Sequence, residues 1–253
     1  MIVKQELEID EIKETQRVLS ANNEYLQQTK EYGRKDALLV LLLYIFLMLG
    51  LSLVGKLFLQ KGADLTDAYI VSVTGIFSMV NIGFVFLFCM IRKQKLITIG
   101  FSKTQAKKSL ILGAMLFVIV TIFFIIKAFL SGSTIQTDIR LVIIYIMYYL
   151  IFIAFMEELI FRAYIGTRLF GFFKNKKLSI AIVGIMFSFY HTPFYMIITE
   201  VSLTEYICAH FFNLIYLAII HTFFQWLYAK HNSIIAPTIL HFILDYIQWF
   251  IIW

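Results

Sequence analysis

The sequence is poor in charged residues, and this scarcity excludes an ordinary soluble globular protein. Only 15% of its 253 residues are charged, whereas 60% are hydrophobic and 17% are aromatic. The mean hydropathy of +0.83 is typical of a polytopic membrane protein. We therefore predict an all-α fold in which helices cross a membrane as a bundle.

Cysteine and proline are also scarce, with two residues of each. Cys89 and Cys208 both lie in apolar runs and lack metal-binding or redox spacing, so the sequence favours neither a disulfide nor a cysteine metal site. Pro193 and Pro237 each lie within four residues of a histidine in an apolar run. A proline frees a backbone carbonyl, and such a kink is tolerated where the protein lines a polar cavity.

Seven apolar runs are long enough to cross a bilayer, which takes about 20 residues. The predicted spans are Ala37–Phe58, Ala68–Ile91, Ser109–Leu130, Leu141–Ile165, Leu178–Thr199, Tyr206–Ala229 and Ile234–Trp253. The region from Lys127 to Leu141 leaves room for an eighth, re-entrant or interfacial helix. We therefore predict a transmembrane domain of seven to eight helices over residues 37–253.

The basic residues are concentrated in alternate loops, and this placement explains the net charge of +6 without nucleic acid as a partner. Eighteen of the 22 Lys and Arg residues lie before the first span or near the second, fourth and sixth loops. The positive-inside rule then predicts a multi-pass protein of the cell membrane with a cytoplasmic N-terminus and an external C-terminus. Residues 1–36 carry eight acidic groups and no apolar core, so we interpret them as a solvated cytosolic tail rather than a signal peptide.

Three carboxylates, on Glu157, Glu158 and Asp245, lie within long hydrophobic stretches. An unpaired charge in such a setting is costly, which makes it a functional-site hypothesis. Glu158 and Arg162 are four residues apart on one helix face, in the favourable order, so they can neutralise each other. Glu157 is rotated by about 100° from Glu158 and has no partner on its own helix, which suits a general acid or base.

Two histidines in other spans complete the candidate site. His191 lies in FSFYHTPF, and His241 shares a helix face with Asp245 in HFILD. Counted from the basic ends of their helices, Glu157 and both histidines lie at depths of roughly 15–20 Å. We therefore expect one layer of polar groups in a cavity approached from the cytoplasm.

Other designs of intramembrane hydrolase are excluded by missing motifs. The sequence has no HExxH zinc motif, no GxSG nucleophile and only one intramembrane aspartate. His210 and His221 have no nearby acidic partner, and we interpret them as packing residues. What remains is a glutamate and histidine site that activates water, with or without a metal. Zn²⁺ is the metal that such side chains suit, and the ligand set would be Glu157, His191, His241 and Asp245.

These motifs resemble those of the CAAX protease and bacteriocin-processing (Abi) family of intramembrane proteases. EELIFR resembles the EExxxR signature, FSFYH resembles FxxxH, and NSIIAPTILHFILD resembles the closing segment of the family. The three motifs occur in the expected order over about residues 150–250. The resemblance implies a protease core at about residues 140–253.

The resemblance also implies a role for each matching residue. Glu157 would be the general base for the hydrolytic water, supported by Glu158 and Arg162. His191 would help to hold this water, and His241 would stabilise the oxyanion.

Asp245 departs from the pattern, because the family usually has asparagine there. An ionised carboxylate would repel an oxyanion, whereas an amide can donate to it. Three alternatives stay open for Asp245: it is protonated, it orients His241, or it ligates a metal. A fourth is that the protein has lost activity through this residue.

The leading hypothesis is an intramembrane endopeptidase, glutamate-dependent and with metal dependence open, that cleaves near the cytoplasmic face. Its partners would be the lipid bilayer and a membrane peptide or protein, such as a peptide pheromone or a bacteriocin precursor. The alternative is a non-catalytic immunity or regulatory protein that keeps the fold and binds a partner. A third hypothesis is a transporter that uses Glu157 and Asp245 as proton relays.

Overall fold

The structure, a computed structural model, describes residues 21–252 and is almost entirely helical. The first 20 residues of the predicted tail therefore lie outside the described residues. The first five helices are α1 (Asn23–Thr29), α2 (Arg34–Lys61), α3 (Asp67–Ile91), α4 (Ala106–Ser131) and α5 (Ile139–Phe172). The remaining helices are α6 (Lys176–Tyr190), α7 (Thr192–Thr199), α8 (Leu203–His231) and α9 (Ile235–Phe250). Short 3₁₀ turns cover Gly62–Asp64 and Leu96–Ile99.

Six helices of the described region are long and apolar enough to cross a membrane. They are Arg34–Asp64, Asp67–Ile91, Ala106–Ser131, Ile139–Phe172, Lys176–Thr199 and Leu203–His231. The predicted polytopic all-α membrane fold is thereby confirmed. The seventh predicted span becomes α9, which has 16 residues. At 1.5 Å per residue such a helix is about 24 Å long, shorter than the hydrocarbon core of about 30 Å.

The segment between α4 and α5 contains a strand instead of an eighth helix. β1 (Thr134–Ile135) pairs antiparallel with β2 (Ile251–Ile252), which follows α9 directly. This two-stranded sheet ties the end of α9 to the start of α5. The backbone N–H of Gln136 also donates to the carbonyl of Phe250 at 2.9 Å.

One end of the bundle, which we call the basic end, is formed by residues 21–33 and the loops 92–105, 173–175 and 232–234. An isolated bridge pairs Phe101 with Ser233, and the amide of Gln28 donates to Asn232 at 2.8 Å. The loops of this end carry Arg92, Lys93, Lys95, Lys103 and Lys174. The distal end, formed by the loops 62–66, 132–138 and 200–202 with β2, contains no Lys or Arg.

The described part of the predicted tail packs onto the basic end and is not a solvated segment. The Tyr25 side chain is fully buried, with its ring centroid 5.5 Å from that of Phe170 and 6.0 Å from that of Tyr228. Asp36 accepts a hydrogen bond of 2.9 Å from the Arg92 guanidinium. Sequence pattern missed this docking because the segment is short, and its apolar groups are few and scattered among charges.

Helix α5 lies at the centre of the bundle. Every residue from Met156 to Phe170 is buried, so neighbours surround this part of the helix on all sides. Two stretches, Tyr148–Phe155 and Glu158–Gly166, are π-helical. π-helical turns are rare and are frequent at functional sites, and Glu157 lies directly between these two.

Candidate active site

The structure brings all six predicted site residues into one cluster. Three of them come from the middle of α5, one from the junction of α6 and α7, and two from one face of α9. The six are Glu157, Glu158, Arg162, His191, His241 and Asp245. Residues that are far apart in sequence therefore meet at one place in the bundle.

Glu158 and Arg162 form the predicted buried ion pair. The Nε atom of Arg162 lies 3.2 Å from Oε2 of Glu158, and both side chains are fully buried. The other oxygen, Oε1 of Glu158, lies 2.7 Å from Nδ1 of His241. The guanidinium carbon of Arg162 is also 4.1 Å from the ring centroid of Phe187 and 4.8 Å from that of Phe224. Cation–π contacts of this kind stabilise a desolvated guanidinium.

Glu157 lies between two imidazoles. Its Oε1 is 3.8 Å from Nε2 of His191, and its Oε2 is 3.7 Å from Nε2 of His241. Both distances are too long for a hydrogen bond, but one water can lie about 2.8 Å from the two atoms of either pair. Among the described residues, Oε2 of Glu157 is buried without a hydrogen-bond partner. Glu157 is therefore placed to hold a water rather than to fix the packing of helices.

Asp245 lies one turn after His241 on α9. Its Oδ2 is 3.3 Å from Nε2 of His241, and 33% of its side chain is exposed. The contact agrees with the alternative in which Asp245 orients His241.

A cavity of about 610 Å³ adjoins the cluster, with Glu157, His191 and Asp245 in its wall. Most of the remaining wall is aromatic: Phe58, Phe77, Tyr148, Tyr149, Tyr190, Phe194, Tyr195, Tyr206 and Trp249. A volume of this size is typical of a ligand pocket. The carboxylates and the imidazole are thus accessible to a molecule that enters the bundle.

The cavity occupies the half of the bundle toward the distal end, whereas the sequence predicted an approach from the cytoplasm at the basic end. Phe58 lies in the last turn of α2, Tyr206 in the first turn of α8 and Trp249 in the last turn of α9. Counting residues gives the depth of a group in the membrane. It cannot show from which side of the bundle a molecule can reach that group, because this depends on how the neighbouring helices pack.

The predicted Zn²⁺ ligands do not form a complete metal site in this geometry. Among residues 21–252, no three His, Cys, Asp or Glu side chains are arranged to hold one metal ion. Glu158 and His241 are engaged with each other through Nδ1 at 2.7 Å. Zn²⁺ binding therefore stays a prediction.

His221 was interpreted as a packing residue, and the structure places it beside the cluster. It is fully buried, its ring centroid is 5.7 Å from that of Phe187, and neither of its ring nitrogens has a hydrogen-bond partner in the described chain. No spacing in the sequence links it to the other site residues. His210 is exposed at a kink in α8 and stacks on Tyr206, with ring centroids 4.6 Å apart.

Fold and site together define a polytopic membrane protein with a buried glutamate and histidine centre. A family model described as Type II CAAX prenyl endopeptidase Rce1-like matches residues 139–247. This segment, which begins with α5 and contains all six candidate residues, is therefore similar to that family. The resemblance predicted from the three motifs is confirmed. Comparison with curated proteins and with solved structures gave no match.

Proposed function

We propose that the protein is an intramembrane endopeptidase that hydrolyses a peptide bond of a membrane-associated peptide or protein. The position of Glu157, between two imidazole nitrogens in the wall of a large cavity, is the observation that carries this proposal. The family of residues 139–247 supports it.

In the proposed reaction, a water lies between Glu157 and His191. Glu157 accepts a proton from this water as the water oxygen attacks the peptide carbonyl carbon. The carbonyl oxygen becomes an oxyanion, and the C–N bond then breaks. Glu157 returns the proton to the leaving nitrogen, so the products are a carboxylic acid and an amine.

His241 stabilises the oxyanion in this proposal. Its Nδ1 is engaged with Glu158 at 2.7 Å, so Nε2 is the nitrogen that faces the reacting atoms. A ring that carries protons on both nitrogens donates from Nε2 to the developing charge. Arg162 neutralises Glu158 and holds its carboxylate in place. Asp245, 3.3 Å from Nε2, orients the ring until the oxyanion replaces it as the acceptor at that nitrogen.

We further propose that the basic end is cytoplasmic, because its loops carry the basic residues. The last turn of α9 and β2 lie at the distal end, so the C-terminus is then external. Zn²⁺ is not needed for any step above, and the metal content of the purified protein tests whether it is bound.

A non-catalytic partner-binding protein is the second candidate, and Asp245 is the observation that favours it. A carboxylate 3.3 Å from the Nε2 atom of His241 can compete with the substrate oxyanion for that nitrogen. Such a protein would keep the cavity and bind a membrane partner in it without cleavage.

The test is cleavage of a library of membrane peptides by the purified protein in detergent. We expect Glu157→Gln to lower the cleavage rate about 10²- to 10⁴-fold, the usual contribution of a general base. Glu200→Gln, which changes an exposed loop carboxylate, serves as the control and should cleave like the wild type. Equal cleavage by the wild type and Glu157→Gln would contradict the proposal.

A further inference from the structure

The side from which a substrate reaches the site follows from which half of the bundle is closed. On α5, all residues from Met156 to Phe170 are buried, so the helix is covered from the site to the basic end. Tyr25 and Tyr228 are fully buried at that end, and their ring centroids are 6.0 Å apart. Among the described residues, this packing covers α5 from Glu157 to the basic end.

The distal half is open. Tyr195 and Gln248 line the cavity and are exposed, with 45% of Tyr195 accessible. Gln248 lies in the last turn of α9, close to the distal end. The same wall includes the partly exposed side chains of His191 and Asp245, at 27% and 33%.

A second opening faces sideways. Asn213 lines the cavity and is exposed, yet it lies ten residues along α8 from Leu203. At 1.5 Å per residue this is about 15 Å from the start of the helix, near the middle of the membrane. Because Asn213 both lines the cavity and is exposed, the cavity is also open at the side of the bundle, between the two ends of α8.

We infer that the site is loaded from the membrane half at the distal end, and that its substrate is a hydrophobic peptide segment inserted in that leaflet. The inference rests on the proposed endopeptidase activity and on the cytoplasmic placement of the basic end, which makes this leaflet the external one. The substrate is then a peptide that has already crossed, or that spans, the membrane.

The cavity wall indicates the chemistry of this segment. Aromatic rings dominate it, and among its polar side chains are Thr74, Asn213 and Gln248. Aromatic walls pack well against apolar side chains, and no Lys or Arg lines the cavity. The segment that is bound is therefore apolar, with an exposed backbone at the scissile bond.

Cysteine labelling in intact cells tests the side on which the cavity opens. The background is Cys208→Ser, since Cys89 is buried and Cys208 is exposed. We expect a membrane-impermeant maleimide to label Gln248→Cys and the distal-end marker Asp64→Cys. Lys103→Cys, at the basic end, should be labelled only after the membrane is opened.

Cleavage of two reporters then tests the substrate. Both are membrane-spanning peptides with the same apolar segment. The first carries it in the external half of the membrane, and the second carries it in the cytoplasmic half. We expect wild-type protein in cells to cleave only the first, and Glu157→Gln to cleave neither.

The outcomes separate the two proposals. If Gln248→Cys, like Lys103→Cys, is labelled only after the membrane is opened, the proposed loading side is wrong. Cleavage of only the cytoplasmic-half reporter would also overturn it. Both results leave the proposed endopeptidase activity in place. If Glu157→Gln cleaves the reporters as the wild type does, the proposed function fails. The labelling pattern still decides where the cavity opens in that case.

Discussion

At the residue scale, Glu157 and Glu158 are neighbours in sequence with different surroundings. Glu158 is fully buried and bound to Arg162 and His241, at 3.2 and 2.7 Å. Glu157 is 5% exposed, adjoins the cavity and is 3.7–3.8 Å from two imidazoles. The sequence predicted this division from helix geometry, because only one of two adjacent carboxylates can lie on the face of Arg162. It could not predict that Glu158 also holds His241.

The variant Asp245→Asn tests whether the site needs a negative charge at this position. Asp245→Asn introduces the residue that the family usually has, and its amide can both accept from and donate to a neighbour. We expect this variant to keep cleavage within about tenfold of the wild type, since the loss of an orienting contact of about 1 kcal/mol costs no more than that. The measurement is kcat/KM with one cleavable peptide.

Asp245→Ala is the matched variant, because it removes both the charge and the contact. It should cleave more slowly than Asp245→Asn. A loss in Asp245→Asn as large as that in Glu157→Gln would show instead that the carboxylate itself takes part in the reaction or holds a metal.

Arg162 provides a prediction about stability. Arg162→Gln removes the guanidinium that faces the buried Glu158 carboxylate, and removing one partner of a buried pair costs about 3–5 kcal/mol. We therefore expect a clear fall in the midpoint of thermal unfolding in detergent. Arg140→Gln, an exposed position on the same helix, should leave the midpoint unchanged. A stable Arg162→Gln protein would argue that water replaces the guanidinium.

At the element scale, the packing of α1 onto the basic end gives the first described helix a structural task. Tyr25 is in contact with aromatic rings of α5 and α8, and its hydroxyl accepts a hydrogen bond of 3.3 Å from Gln225. Burial raises the pKa of the Tyr25 phenol, so the group stays neutral in its pocket. The helix therefore belongs to the folded unit and closes the end of the bundle nearest to Arg162.

Tyr25→Ala tests this task. Truncation of a large buried aromatic side chain costs about 3–5 kcal/mol, and we expect unfolding in detergent at a correspondingly lower temperature. Tyr25→Phe removes only the hydroxyl, so its effect should be about 1 kcal/mol. Equal stability of the alanine variant and the wild type would mean that α1 does not dock in solution.

At the scale of the whole molecule, the sequence predicted the helices better than their arrangement. Hydrophobic length located the six long spans, and the motifs named the six residues that the fold brings together, because both depend on local pattern. The π-helical turns around Glu157 were not predictable, since no local pattern in the sequence marks them. The docking of α1 and the side of the cavity depend on contacts between distant residues, such as the pair of Tyr25 and Tyr228.

Helix α9 is fastened at both of its ends. At the distal end β2 pairs with β1, and at the basic end the backbone N–H of Ile234 donates to the carbonyl of Gly100 at 3.3 Å. A helix clamped in this way resists sliding along its axis, so His241 and Asp245 keep their positions in the cluster beside Glu157. We expect the movement that admits a long peptide in the opposite wall, where α7 and the first turns of α8 pack through side chains and take part in no strand pairing among the described residues.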